Sequence, residues 1–248
     1  MKILGVDVGG SGIKGAIVET TTGDLLTERL RLVTPSPSTP DSVAKTISEL
    51  TKSLKYSGPI GVGFPSVVHH GVAMTAANIH RSWIQTNARD LFSQVTGQPV
   101  TVLNDADAAG LAEMSFGHGA GQKGTVLILT VGTGIGAVLF VNGQIVPNLE
   151  LGHIFLKNGV TGEKYASDAT RKNKDLSWAA WASRFNVYLA QMEALLWPDL
   201  IIVGGGISKK EDKFFKHLHT RAPLLLAKLQ NQAGIIGAAL AAEKKLSF

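Results

Sequence analysis

The 248-residue chain contains no cysteine. Disulfide bridges, thiolate zinc sites and a cysteine nucleophile are therefore excluded. It also lacks any apolar run near the roughly 18–20 residues that a membrane-crossing helix needs. Stretches such as Thr125–Val131 and Leu224–Ala227 fall far short of that length. No Gly-Lys-Ser/Thr triplet follows a glycine-rich turn, so the P-loop is absent. Gly10-Ser11-Gly12-Ile13-Lys14-Gly15 has the spacing of a dinucleotide fingerprint, but that motif opens a helix and places an acid about 20 residues on. Here a β-branched strand follows and position 35 is proline. The N-terminus is apolar only as far as Asp7 and has no small-residue cleavage site, which points to a cytoplasmic protein without a signal peptide.

What the chain has in quantity is apolar residues (44%), glycine (28 residues) and positive charge, with 24 Lys+Arg against 19 Asp+Glu for a net +5. The apolar share is too high for a disordered chain. Glycine permits tight turns where backbone meets ligand, and the charge favours an anionic partner.

Hydrophobic spacing predicts strands at 2–8, 13–19 and 25–33, a helix over 41–54, a strand at 60–64, a helix over 88–95 stopped by Gly97, and a strand at 100–103 leading into a helix over 108–116. The pattern then restarts with strands at 126–131, 137–141 and 144–147, the last two joined by Asn142-Gly143. Strand, glycine turn, strand thus occurs twice, which reads as an internal duplication. A long helix over 178–196, a strand at 200–203 and helices over 210–219 and 233–243 follow.

Five places can carry chemistry. Asp7 ends a buried strand immediately before Gly9-Gly10-Ser11-Gly12, and Lys14 lies on the next strand. Such a turn exposes N–H groups to phosphate oxygens, and the carboxylate can hold Mg²⁺ directly or through water; a plain hairpin is the alternative. Thr130, Gly132, Thr133 and Gly134 form a second turn of this kind, with two hydroxyls to donate. Asn104-Asp105-Ala106-Asp107 sits where a strand becomes a helix; one Asp serves as helix cap and one, Asp105, as general base. Glu150 and His153 offer an acceptor and a donor for hydroxyl groups. Gly204-Gly205-Gly206 lets the backbone approach a phosphate chain or simply supplies a positive-φ turn.

Taken in order, Asp7–Lys14, Asn104-Asp105-Ala106, Leu129–Gly136, Glu150-Leu151-Gly152-His153 and Gly204–Gly206 resemble the motifs of the ROK family, within the sugar-kinase branch of the actin/hexokinase/Hsp70-like superfamily. Further stretches, among them Thr75–Asn78, Ser82-Trp83-Ile84 and Trp197–Leu200, resemble a polyphosphate-using subgroup of that family.

The resemblance implies a duplicated α/β fold of the actin/hexokinase (ribonuclease H-like) type, with two domains, an interdomain cleft and closure on sugar. Residues 1–107 with 233–248 are expected to form one domain and 108–232 the other. It implies phosphoryl transfer from inorganic polyphosphate, ATP or both to the 6-hydroxyl of glucose, with mannose open as a second acceptor. An ATP-only kinase of another hexose or an N-acetylhexosamine is the alternative. Asp105 is then the base. Asn78, Asn104, Asp105, Glu150 and His153 are the sugar residues, and Glu163 is the candidate for a further sugar-binding glutamate. Asp7, Gly9, Gly10, Ser11, Gly12, Lys14, Thr130, Gly132, Thr133, Gly134 and Gly204–Gly206 meet phosphate or nucleotide. Mg²⁺ is expected; structural zinc is not, because the cysteines that bind it in many relatives are missing. Lys209, Lys210, Lys213, Lys216, Arg221 and Lys228 outnumber Glu211 and Asp212 between 207 and 228 by four charges, a candidate polyphosphate track or an ordinary solvated face. A homodimer is expected, with exposed apolar residues on the 178–196 helix as its interface; neither nucleic acid nor membrane is an expected partner.

Overall fold

The structure, a computed structural model, describes residues 1–157 and 159–248. The chain divides into two compact units, 1–116 with 232–248, and 117–231. The first division falls at 116/117 rather than 107/108, because the whole helix Asp105–Phe116 packs against helix Ala233–Glu243 of the same unit.

In the first unit, strand Lys2–Gly9 lies at the centre of a six-stranded sheet. It pairs antiparallel with Gly12–Glu19 through the first glycine turn and parallel with Ile60–Phe64, which pairs parallel with Val100–Asn104. Alternation assigns the faces: Val6 and Gly15 turn toward Leu50 of helix Pro40–Ser53, whereas Gly5 and Asp7 turn toward helix Ala233–Glu243. Helix 40–53 starts where Thr39 accepts a hydrogen bond from the Ser42 N–H and proline occupies the first turn. Helix 233–243 is apolar on every side (Ala-Gly-Ile-Ile-Gly-Ala-Ala-Leu-Ala-Ala), as a helix buried all round must be. Leu4, Val6, Ile13, Ile47, Val62, Phe64, Trp83 and Phe92 build the core.

The second unit repeats the plan. Strand Thr125–Val131 pairs antiparallel with Ile135–Val141 through the second glycine turn and parallel with Leu200–Gly204. Gln144–Val146 and Leu224–Leu226 complete five strands. Helix Trp178–Leu196, capped by Ser177, lays Trp181, Phe185, Tyr188, Leu189 and Met192 against Leu127, Leu129, Ile201 and Val203. Each such fully buried side chain contributes roughly 1.5–3 kcal/mol. No helix among the described residues is long and apolar enough to cross a membrane.

Three elements depart from expectation. The 25–33 strand is two short pieces, Asp24–Leu25 and Leu30–Leu32, because the Thr27 hydroxyl takes the Ile17 N–H in place of a backbone carbonyl and interrupts the ladder. The 210–219 helix is a 3-10 turn Gly206–Lys210, a single α-turn Glu211–Phe214 and another 3-10 turn Phe215–His217. Phe214, drawn under Trp178 and Trp181, and Asn186, which binds the His217 carbonyl and the His219 N–H, hold it in that broken path. A small sheet of Val68–His69, Val72–Ala73 and Thr86–Asn87 had no clear sequence signal.

Candidate active site

Register sets the first group. In neighbouring strands Gly63 pairs with Asp7, Asp7 with Lys14 and Lys14 with Arg31, so the three charged side chains form a row across one sheet face. Lys14 Nζ meets Asp7 Oδ2 at 3.0 Å. Asp7 also lies against the start of helix 233–243: a Cβ on Gly234 would stand 3.1 Å from its Cγ. The turn joining the two strands has its carbonyls tied back from outside. Thr34 Oγ1 donates to the Gly9 carbonyl and Arg31 Nη2 to the Ser11 carbonyl, each at 2.6 Å. Gly10 and Ser11 are exposed, Gly9 and Lys14 half-buried, and Gly12 buried beneath the Arg31 guanidinium.

Phe64 pairs with Asn104, which ends its strand, and Asp105 begins helix 105–116. The division of labour differs from the expected one. Asn104 is the cap: its Oδ1 accepts from the Ala106 and Asp107 N–H groups at 2.8 and 3.2 Å, and its Nδ2 donates to the Ser66 carbonyl. Asp107 is fully buried. Asp105, half-buried, accepts from the Ala106 N–H through Oδ1 at 2.9 Å. A carboxylate is thus held at the carboxyl end of a parallel strand, where α/β sheets meet their ligands. Asn78 lies exposed in the loop between strand 72–73 and the 3-10 turn Arg81–Trp83.

In the second unit Thr130 is flanked by Gly136 on one neighbouring strand and Gly204 on the other. Within the second turn the Gly132 N–H reaches the Gly134 carbonyl, and the Gly132 carbonyl accepts the Ala169 N–H at 3.2 Å. Across a planar trans peptide the C=O and the next N–H point opposite ways, so this bond turns the Thr133 N–H away from helix Asp168–Asn173. That helix is anchored by Asp168, which binds Arg171 Nε at 2.8 Å and Lys172 Nζ at 2.7 Å, while Arg171 stacks 4.0 Å over Trp178. Burial raises the Asp168 pKa, but the hydrogen bonds and charges of Lys172 and Arg171 outweigh it and hold the carboxyl below its ordinary range.

Gly205 has φ of +85° and its α-carbon packs onto the Val131 backbone, a place only glycine fits. The third glycine run is thereby pinned beside the second turn. Lys209 and Lys210 follow, exposed, at the end of the 3-10 turn, and Lys213, Lys216, Arg221 and Lys228 are exposed as well.

Two carboxylates and an imidazole meet around the 3-10 turn Leu151–His153, which Glu150 precedes. His153 Nδ1 lies 3.1 Å from Glu150 Oε2 and its Nε2 lies 3.3 Å from Glu163 Oε1. Glu163 arrives because the chain turns back through the Phe155–Thr161 bridge into helix Gly162–Ala166. Burial pushes the Glu150 carboxyl above its ordinary pKa; His153 opposes that rise and the Glu163 charge adds to it.

Among the described residues no three His, Asp or Glu side chains form a metal cage. The donor set nevertheless fits Mg²⁺, which keeps most of its water and takes one or two carboxylates plus substrate phosphates. Asp7, next to the first turn and paired with Lys14, is the carboxylate that would be available to it.

Two sheets of one plan, each carrying a glycine turn at the carboxyl end of its central strand, define the actin/hexokinase-like class of phosphotransferases. The profile of the ROK family matches residues 3–164, and the chain belongs to that family. It is 49% identical over 239 residues to the polyphosphate glucokinase of Mycobacterium tuberculosis, covering 96% of this chain and 90% of that one. The inorganic polyphosphate/ATP-glucomannokinase of Arthrobacter sp. strain KM superposes with a TM-score of 0.95 at 44% identity, covering 99% of both chains. A ROK family glucokinase of Streptomyces griseus, solved with glucose and AMPPNP, superposes with a TM-score of 0.81 at 25% identity, covering 98% of this chain and all of that one.

Sequence reading missed Arg31, Thr34, Asp168 and Arg171. The Ser167–Thr170 capping pattern and the Asp168–Arg171 spacing were a usable local signal for the helix. Nothing local announces Arg31, whose role depends on strand pairing.

Proposed function

We propose that the chain is a cytoplasmic glucokinase that transfers the terminal phosphoryl group of inorganic polyphosphate or ATP to the 6-hydroxyl of glucose. The near-full-length likeness to a polyphosphate glucokinase carries this reading; Asp105 at its strand end and the contacts of His153 with Glu150 and Glu163 support it.

Asp105 takes the proton of the 6-hydroxyl as that oxygen attacks the terminal phosphorus in line; the bond to the bridging oxygen breaks and the shortened donor leaves. The transition state is loose, so positioning and charge neutralisation do most of the work. Asn104 keeps Asp105 at the helix start by occupying the first free N–H groups. Glu150 and Glu163 accept hydrogen bonds from sugar hydroxyls, and His153, held between them, fixes their orientation. Asn78 is a further sugar contact from its exposed loop. The N–H groups of residues 9–12 and 133–134, the hydroxyls of Thr130 and Thr133, Gly204–Gly206, and Lys14 hold phosphate oxygens. Bound Mg²⁺, taken by Asp7 directly or through water, supplies neutralisation of phosphate charge. Lys209 and Lys210 start a basic track for the longer donor.

Mannose is included as a second acceptor, in line with the name of the Arthrobacter relative. A homodimer is proposed on Val187, Leu195 and Trp197, which stay exposed on and beside the 178–196 helix; light scattering checks it. The test of the reaction is a coupled assay of sugar 6-phosphate formation with glucose and mannose, each with polyphosphate and with ATP. Activity with both donors on glucose is expected. Activity with ATP alone would make the chain an ATP glucokinase, and activity only on another sugar would overturn the acceptor.

A further inference from the structure

Arg31 stands directly across from Lys14 in the antiparallel pair, so two cations share one sheet face. Like charges directly opposite destabilise a sheet unless something neutralises them. Asp7 answers Lys14 at 3.0 Å. Among the described residues no carboxylate answers Arg31, which is exposed and gives only Nη2 to the Ser11 carbonyl, at 2.6 Å. The row Asp7–Lys14–Arg31 therefore carries one uncompensated positive charge at the lip of the first glycine turn. The guanidinium is also held in place: Gly12 leaves the space beneath it, so that a Cβ there would stand 2.5 Å from Nε. A guanidinium has five donors in a fixed fork, and one bond to Ser11 leaves others free for phosphate oxygens.

We infer that Arg31 is a donor-binding residue: it takes a phosphate group of the phosphoryl donor at the outer edge of the first turn. The inference rests on the reading of residues 9–12 as a phosphate turn and adds a residue that lies outside the motif. Polyphosphate and ATP share the chemistry, and the donor assays separate them. A phosphate here also removes the Lys14–Arg31 repulsion, so donor binding stabilises the sheet that carries Asp7.

The test compares wild type with Arg31→Gln and Arg31→Lys. Melting temperature is measured with and without inorganic polyphosphate or ATP, and KM for each donor and for glucose is measured over a range of salt. For Arg31→Gln the donor KM is expected to rise about tenfold, with kcat and glucose KM unchanged. The melting temperature of the unliganded protein should equal or exceed that of wild type, and the rise on adding donor should shrink. The slope of log KM for polyphosphate against log salt should fall by about one, by analogy with loss of one phosphate contact in nucleic-acid binding. Arg31→Lys should recover part of the affinity. A larger change with polyphosphate than with ATP assigns the contact to the longer chain, and equal changes assign it to a phosphate common to both. If donor KM stays within twofold for both donors while wild type is stabilised by them, the inference is wrong. A lower unliganded melting temperature with unchanged donor KM would also refute it, leaving Arg31 a structural prop. If neither donor stabilises wild type, the phosphate-turn reading fails and the inference with it.

Discussion

At the residue scale a few side chains are held in place by backbone groups. Asn104 shows how far sequence reaches. The segment Asn104–Asp107 was legible as a capped strand-to-helix junction, with an Asp expected as the cap, yet the cap is the asparagine. Both Asn and Asp cap well, so only the position of the strand end, set by pairing with Phe64, decides between them. Glu163 was legible as a residue type but not as a neighbour of His153, since the turn-back at 155–161 is a tertiary event. Two predictions belong here. The Glu150 carboxyl has a raised pKa because burial disfavours its charge, and sugar hydroxyls need the ionised form as acceptor. Glucose KM should therefore climb as pH falls, beginning at a higher pH than an ordinary glutamate would give, and Glu150→Gln should abolish that limb; a pH profile of glucose KM checks both. A methyl group at Gly234 would press on the Asp7 carboxylate, which Lys14 holds in place. Gly234→Ala should raise the Mg²⁺ concentration needed for half-maximal rate while leaving glucose KM near wild type, as a Mg²⁺ titration will show.

At the scale of elements, the long periodic segments were the readable ones. Helices 40–53, 88–96 and 178–196 announce themselves by spacing and caps, and helix 233–243 by its unbroken apolar run. The broken path after Lys210 could not be read, because the burial of Phe214 under two tryptophans overrides local helix propensity. Trp181 is the keystone of that packing: it stacks on Phe185, meets Phe214 edge-on and donates its indole N–H to the Ala166 carbonyl. Trp181→Ala should cost about 3–5 kcal/mol, readable in a urea unfolding curve. Helix 168–173 braces the second glycine turn through Ala169. The Asp168 pKa is depressed in the folded state by Lys172 and Arg171 despite burial. Its contribution to stability is present above the ordinary aspartate range and lost as pH falls through the lower folded value. The gap in melting temperature between wild type and Asp168→Asn should thus be widest near neutrality and close in strong acid.

At the scale of the whole molecule, the duplicated plan was visible as a strand–turn–strand pattern met twice, and each unit builds it around a central parallel pair. The net +5 has a location: six exposed cations between 209 and 228 against two acids. Replacing Lys209, Lys210 and Lys213 together by alanine should weaken polyphosphate use much more than ATP use and flatten its salt dependence, as KM values at two ionic strengths will show.

In the proposed reaction Asp105 deprotonates the glucose 6-hydroxyl for attack on a polyphosphate or ATP terminus. Its most direct test is the rate of glucose 6-phosphate formation by Asp105→Asn beside wild type, at saturating glucose and with each donor. The kcat of Asp105→Asn should fall about 10²–10⁴-fold with both donors and with little change in glucose KM; equal rates for the two proteins would rule Asp105 out as the base.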